Sequence, residues 1–501
     1  MDKRNLPKAS MLKKIRVVAS LTIFLLLTFF FIDFAGLLSL KFHGIAHFQF
    51  IPALLALNIG IVVFILIITA LFGRVYCSSL CPMGTLQDII HHTLNKKRKF
   101  KYIKSKPILR WGIVGAVVIA FLLGFPLLLG LLDPYSAFGR VTTHLLKPLY
   151  LLGNNLLSHL FNYFGNYTIY CIEIGKLAFS SFIVALSTLL IIGFFAWKYG
   201  RLYCNTICPV GTILGAVSKY SLFKINIDDS KCNGCRLCET NCKASCINSQ
   251  NHTIDHSRCV DCFNCLSVCK QKALSFSLKK KTVKEEVREQ QVDEGKRQFL
   301  LTSLATAIAI PTVMAKKEVN ALAGKDASNS STVISPPGSL SVEHLNKHCT
   351  SCHLCVSKCP SQVLKPAFLE YGVGGMMQPR LSFKDGFCKY DCTVCSAVCP
   401  NSAIRRLTTE EKRHIQIGKA ILKSGSCVAY AQGANCGACA EHCPTKAIKM
   451  ISYEEGFSVP TVNKDTCIGC GACEYACPVH AIYVEGYSTH QQIKHYLSPS
   501  N

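Results

Sequence analysis

Twenty-four of the 30 cysteines in this 501-residue chain fall into six tight runs of four, and that feature constrains the fold more than any other. Two runs have C-x2-C-x2-C-x3-C spacing: Cys232, Cys235, Cys238 and Cys242, then Cys259, Cys262, Cys265 and Cys269. Four more lie further on. They are Cys349, Cys352, Cys355 and Cys359; Cys388, Cys392, Cys395 and Cys399, opening C-x3-C; Cys427, Cys436, Cys439 and Cys443, with an eight-residue insert; and Cys467, Cys470, Cys473 and Cys477. These four end in Cys-Pro, at Pro360, Pro400, Pro444 and Pro478, whereas Lys243 and Lys270 follow the first two.

Three sulfurs in such a loop grip one cuboidal [4Fe–4S] cluster, and the fourth reaches the other cluster of a pair. The first two runs therefore sort into Cys232, Cys235, Cys238 and Cys269 on one cluster, and Cys259, Cys262, Cys265 and Cys242 on the other. Among the later four runs, spacing leaves the fourth ligands open. Zinc ribbons use two C-x2-C pairs, not three-then-one runs. Disulfide scaffolds this rich in cysteine are short secreted chains. Six [4Fe–4S] clusters are expected.

The formal charge of +26 counts every cysteine as neutral. An oxidised cluster with four thiolates carries about −2, so six would cancel roughly 12 of the positive charges. The remaining basic residues sit largely in juxtamembrane blocks, and nothing resembles a basic–aromatic nucleic-acid footprint. No nucleic-acid partner is expected.

Apolar residues crowd the first 200 positions. Four stretches, at 17–40, 51–72, 108–132 and 174–197, each approach the ~20 residues a bilayer requires, and a shorter fifth lies at 299–315. Lysine and arginine cluster before the first, between the second and third, and between the fourth and fifth. The positive-inside rule then places the N-terminus and residues 223–278 in the cytoplasm, and everything after Ala315 outside. The expected fold class is an α-helical membrane domain of about five spans plus two α+β ferredoxin-like [4Fe–4S] modules.

The second and fourth stretches are followed by matching segments. Gly73-Arg74-Val75-Tyr76-Cys77-Ser78-Ser79-Leu80-Cys81-Pro82-Met83-Gly84-Thr85 pairs with Gly200-Arg201-Leu202-Tyr203-Cys204-Asn205-Thr206-Ile207-Cys208-Pro209-Val210-Gly211-Thr212. The membrane part is thus a duplicated two-span unit ending in C-x3-C-P at the cytoplasmic face. Cys77, Cys81, Cys204 and Cys208 form either a second redox or metal site brought together by pseudo-symmetry, or small buried packing groups. Cys171 and Cys246 fall in no pattern and read as structural. Asp33, Lys41, His43 and His47 near the outer face, and His91 and His92 on the inner side, read either as intramembrane ionisable groups of a quinol site or as solvated loop residues.

The domain boundaries follow. Residues 1–222 form the membrane domain, 223–278 the cytoplasmic two-cluster domain, and 279–298 a charged linker. Residues 299–315 form a fifth span or export-signal-like anchor, 316–342 a flexible tether containing Pro336-Pro337-Gly338, and 343–501 an extracytoplasmic four-cluster domain. Gly295-Lys296-Arg297-Gln298-Phe299-Leu300-Leu301 resembles a twin-arginine export signal with Lys296 in place of the first arginine, and the anchor is read as retained.

On these motifs, residues 1–275 resemble the NapH/MauN ferredoxin-type membrane proteins, and residues 296–485 resemble the NapG/MauM ferredoxin-type proteins, fused in one chain. NosR-type and CcoG-type proteins share the four-span unit. The resemblance implies a multi-pass protein of the bacterial inner membrane, its C-terminal domain periplasmic. It would pass electrons from quinol or a cytoplasmic donor to a periplasmic nitrate or nitrous-oxide reductase system, as a quinol-dehydrogenase-type component. The implied partners are membrane lipid, the quinone pool and a periplasmic redox partner, either a cytochrome c or the terminal reductase. An assembly factor reducing a metal such as copper is the alternative. It would work through the C-x3-C-P cysteines and leave the outer clusters without a role.

Overall fold

The computed structural model describes residues 9–33, 44–94, 99–175, 178–278, 333–453 and 456–493. The linker at 279–298, the fifth apolar stretch at 299–315, Lys41 and His43 lie outside these residues, as does the tether up to 332.

Long apolar runs form most of the two longest helices, α1 (Ala9–Ile32) and, further on, Phe179–Tyr199, and both are long and apolar enough to cross a membrane. Val18, Leu21, Leu25 and Phe29 line an exposed stripe of α1, while Leu27, Phe30 and Phe31 are buried. Exposed aliphatic side chains at helical spacing, opposite a buried face, suit an apolar surrounding.

The other two apolar stretches are broken rather than continuous. The 51–72 stretch divides at Leu57, which has φ 54°, and restarts at Asn58, whose side chain accepts from Ile61 N–H, to give α2 (Ile59–Phe72). α3 (Pro82–Leu94) begins directly after Cys81. The 108–132 stretch forms α4 (Pro107–Leu122), breaks at Gly124 and Pro126, and continues as α5 (Leu127–Leu132). Both α2 and α4 fall short of a span's length. Of the four expected spans that lie among the described residues, two form helices long and apolar enough to cross a membrane.

Asp133 caps α6 (Pro134–Val141) by accepting from Ser136 N–H at 2.9 Å, with Pro134 at its first turn. Every residue of α6 is buried. α7 (Lys147–Tyr163) precedes α8 (Phe179–Tyr199), and the short α9 (Leu202–Thr206) and α10 (Pro209–Ser218) follow.

The 223–278 module, called inner after its expected side, begins at β1 (Phe223–Ile227) and holds β2 (Ile247–Asn248), β3 (Thr253–Ile254) and β4 (Leu274–Leu278). β1 pairs antiparallel with β4, Phe223 opposite Leu278, and β2 pairs with β3. The C-terminal module, called outer after its expected side, holds β5 (Leu364–Pro366), β6 (Pro379–Leu381), β7 (Ile415–Leu422), β8 (Ile448–Ser452), β9 (Ser458–Val462) and β10 (Ile482–Gln492). Its antiparallel pairs are β5 with β6, β8 with β9 and β7 with β10.

The two modules sit at opposite ends of the helices. At the N-terminal end of α1, Lys13 Nζ reaches Ser267 Oγ of the inner module at 3.4 Å. Beyond its C-terminal end, Lys358 of the outer module pairs with Asp33 at 3.1 Å. α8 repeats this in reverse. Ser181 donates to Met377 Sδ of the outer module at 3.6 Å, and just past the helix Arg201 N–H donates to Lys243 O of the inner module at 2.8 Å. A 24-residue helix is ~36 Å long, enough to hold the modules a bilayer apart.

The expected tether ends differently from its sequence reading. Ile334 to Ser339 are buried, with Leu381 N–H donating to Ile334 O and Arg405 N–H to Gly338 O. Pro336-Pro337-Gly338 is a docked turn of the outer module. Its prolines fix the backbone without needing donors, and Gly338 (φ 93°) admits the Arg405 carbonyl where a Cβ would stand at 2.6 Å.

Candidate iron-sulfur centres

Each C-x2-C-x2-C loop needs its backbone to turn sharply so that three sulfurs face one point. Left-handed residues flank the second cysteine: Gly234 and Arg236, Asp261 and Phe263, Ser351 and His353, Gly469 and Gly471. A second left-handed residue lies three positions past the last cysteine of every run: Ser245, Lys272, Gln362, Ser402, Lys446 and His480. The turn after Cys242 and Cys269 therefore matches those after the Cys-Pro pairs, although Lys243 and Lys270 replace proline.

In the inner module, Cys259, Cys262 and Cys265 line one cavity together with Cys242 from the other run. The structure thus brings together the four thiols the spacing assigned to one cluster. Cys238 faces Cys232 and Cys235. Cys246, read from sequence as structural, is in the cavity as a fifth thiol, its Sγ 3.6 Å from that of Cys242. Its hydrogen bond holds the Cys242 thiol below the usual range.

The outer module answers the question that spacing left open. Cys349, Cys352, Cys355 and Cys399 line one cavity. Cys359 instead faces Cys388, Cys392 and Cys395. Cys443 faces Cys467, Cys470 and Cys473, and Cys477 packs with Cys427 and Cys436. Every fourth cysteine crosses to its neighbour. The second and third of these sites touch, with Cys388 N–H donating to Cys470 O at 3.0 Å.

Backbone donors aim at the sulfurs: Ser351 N–H at Cys349, Ile404 at Cys399, Ala447 at Cys443 and Ala481 at Cys477, at 3.2–3.4 Å. Such bonds stabilise thiolates and raise cluster potentials. Burial pushes the Cys349 thiol up to about 12 and Cys352 higher still, so cluster insertion must displace protons there. No three His, Cys, Asp or Glu side chains converge tightly enough for a single metal ion among the described residues. A four-iron cube holds its thiolates farther apart than one ion does, and the cavities lined on several sides by thiols fit it.

The four C-x3-C-P cysteines are buried inside the helical domain. The segment Tyr76–Leu80 turns inward from the end of α2, and α3 returns toward the inner module, leaving Cys81 at the tip. α9 and α10 do the same around Cys208. Tyr76 OH donates to Gln49 Oε1 at 3.0 Å and Tyr203 OH to Leu132 O at 3.2 Å, so the tips meet segments leading to the outer module. The motifs begin against the 223–278 module, where Arg74 N–H meets Asp261, and their cysteines are buried between it and these segments. Re-entrant turns keep their backbone groups paired inside protein, and the hydropathy of the flanking spans does not report them.

The ionisable residues near the outer face are also placed by the fold. Asp33 is buried against Lys358, beside Cys359. His91 packs on Phe100 with its Nδ1 3.2 Å from Ala196 O. Sequence reasoning passed over Arg74, Arg201, Gly84 and Gly211, although the repeat carries them at matched positions. It also passed over Asp88, whose carboxylate meets Arg16, Arg201 and Lys243 at 2.5–2.7 Å.

Family models match some of these sites and leave the runs at 232–242 and 388–399 outside their bounds. The 4Fe-4S binding domain family matches residues 54–101 and again 177–228. Two 4Fe-4S dicluster domain families match residues 255–363 and 432–481. The chain therefore carries several 4Fe–4S-binding domains of ferredoxin type. The 255–363 match takes one run from each module, and the structure sets those runs at opposite ends of the helices. An uncharacterised protein of Methanocaldococcus jannaschii is 27% identical over 44% of this chain and 71% of its own length. YccM of Escherichia coli, named as an electron transport protein, is 27% identical over 42% of this chain, which spans about half of that relative. The methylamine utilization ferredoxin-type protein MauM of Methylobacillus flagellatus is 28% identical over 36% of this chain and 77% of its own length.

Proposed function

We propose that this chain conducts electrons across a membrane, from an inner two-cluster module to an outer four-cluster module, as part of a respiratory chain. The observation that carries this is the placement of one cysteine-rich module at each end of the same two apolar helices. Each bound cluster supplies reversible one-electron chemistry. The protein's part is to hold the sites close in series. The Cys388–Cys470 contact joins the outer sites, and the crossed fourth ligands tie each pair.

Names of relatives support electron transport and a ferredoxin-type role. Quinol or a cytoplasmic donor supplies the electrons, and a periplasmic cytochrome c or terminal reductase receives them. The C-terminal module faces the periplasm in this reading, supported by the lysine and arginine asymmetry around the apolar stretches. The six runs would hold about 24 iron per chain.

The test uses the full chain in sealed vesicles with oxidised cytochrome c inside and dithionite outside. Reduction of the enclosed cytochrome is expected, and Cys352→Ser abolishes it while the inner clusters still reduce. No crossing by the unmutated chain, or full crossing by Cys352→Ser, removes the proposal. Reporters fused after Phe276 and after Asn501 should read opposite sides.

A further inference from the structure

We propose that Cys77, Cys81, Cys204 and Cys208 jointly ligate a seventh iron–sulfur cluster, buried between the inner and outer modules. This deepens the electron-transfer reading and rests on it.

A four-iron cluster needs four thiolates. Each repeat matches a 4Fe-4S binding domain, yet each matched segment contains only two cysteines. Only the pair of repeats can supply the set. The structure interlocks them reciprocally. Arg74 Nη2 donates to Cys204 O at 3.2 Å, and Arg201 Nη1 donates to Cys77 O at 2.6 Å. Gly84 and Gly211 make room for this. A Cβ at Gly84 would stand 2.4 Å from Cys77 O, and one at Gly211 2.1 Å from Cys204 O and 2.8 Å from Arg74 Nη2.

The electrostatics call for an anion. Arg74 is fully buried and makes no salt bridge among the described residues. Its guanidinium donates to Asn205 Oδ1, Ser257 O, Cys204 O and, at 3.7 Å, Cys77 Sγ, and its Nε has no partner. The Asp261 carboxylate takes the Arg74 backbone N–H at 2.8 Å and attracts the cation but forms no ion pair with the guanidinium, and a buried charge so weakly compensated is costly. A cluster with four thiolates carries about −2 and would lie where this cation points. The sulfurs meet further donors: Gln87 Nε2 to Cys204 Sγ at 3.2 Å, and Gly211 N–H to Cys208 Sγ at 3.4 Å at the start of α10.

The site also bridges the modules. On its inner side Arg74 N–H donates to Asp261, between Cys259 and Cys262, and Arg201 N–H to the carbonyl of Lys243, next to Cys242. On its outer side the Tyr203–Leu132 contact leads to Asp133, which accepts from Ser136 Oγ, and that hydroxyl reaches Thr350 beside Cys349. A centre at this place would divide the electron's path between the two modules into two shorter steps. A cluster held there would supply reversible one-electron chemistry, accepting one electron from a cluster held by Cys242, Cys259, Cys262 and Cys265 and passing one to a cluster held by Cys349, Cys352, Cys355 and Cys399, with no covalent bond changed.

The experiment uses anaerobically purified, reconstituted full chain, with iron assay, spin integration of the dithionite-reduced protein, and the vesicle crossing assay. The unmutated chain is expected to hold about 28 iron and seven reducible clusters. Cys77→Ser and Cys208→Ser should each lose about four iron and one signal, and lose crossing, while the inner and outer signals remain. Cys235→Ser is the control and should lose a different set of about four. Six clusters in the unmutated chain, or unchanged iron in a Cys77→Ser/Cys204→Ser double variant, would overturn the proposal even if the variants' yields differ. If instead Cys235→Ser also left the iron unchanged, the six-cluster reading itself would have failed.

Discussion

Replacing Gly139 by valine should separate the outer module from the helical domain without emptying any cluster site. Gly139 lies on the buried α6, and a Cβ there would stand 2.3 Å from Cys352 O and 2.9 Å from Phe31 Cζ. Ordinary contact begins at 3.4 Å, so the two surfaces must part by about 1 Å. The obstructing oxygen belongs to backbone in a cluster-binding loop and cannot swing aside. Overpacking of this kind costs about 1–3 kcal/mol. The same movement strains the Ser136–Thr350 bond at 2.8 Å and the Arg140–Ser351 bond at 3.3 Å, each worth about 1 kcal/mol. Every 1.4 kcal/mol lowers the docked-to-undocked ratio about tenfold. The assay pairs vesicle crossing with hydrogen exchange at 348–355. Slower crossing, faster exchange and unchanged iron are expected. Gly153→Ala, where a Cβ would meet nothing within 4 Å, is the neutral control. Wild-type crossing and exchange in Gly139→Val would refute the claim that this contact couples the modules.

The crossed ligands predict that Cys399→Ser and Cys352→Ser extinguish the same electron paramagnetic signal, whereas Cys359→Ser extinguishes the one lost in Cys392→Ser. Loss of one common signal from Cys352→Ser and Cys359→Ser would reverse the assignment. Asp88→Asn leaves Arg16, Arg201 and Lys243 without their shared carboxylate, and thermal unfolding should show about 3–5 kcal/mol of destabilisation; an unchanged midpoint would count against a structural role for this cluster of charges. His490 is held down to about 4 by burial, below its ordinary 6.5, so it is neutral in the folded module and charges more readily on unfolding. Its contribution is complete above pH 6.5 and falls as pH drops toward 4, by up to ~1.4 kcal/mol per unit. Proteolysis rates of His490→Asn measured between pH 4 and 7 should show a flatter dependence, and an identical slope would exclude this group.

Cysteine spacing alone determined the chemistry of the six runs. Three sulfurs separated by two residues converge because the loop is too short to do otherwise, and the structure gathers one expected set, Cys259, Cys262 and Cys265 with Cys242. Apolar length likewise determined α1 and α8, because a continuous run of such residues leaves the backbone to bond within its own helix. Tertiary structure decided what depends on partners distant in sequence. Leu57 and Gly124 break the other two apolar stretches, and hydropathy averages over such breaks. Pro336-Pro337-Gly338 reads as a tether by composition, yet the Arg405 N–H and the Ile404 and Leu407 side chains hold it in place. The fourth ligands of the outer sites follow from which runs pack together, and the spacing within the four runs carries no mark of that choice. The C-x3-C-P cysteines were legible as a repeat. Their burial between the modules depends on Arg74 and Arg201 reaching across to one another's repeats, contacts that span 130 and 124 positions of chain.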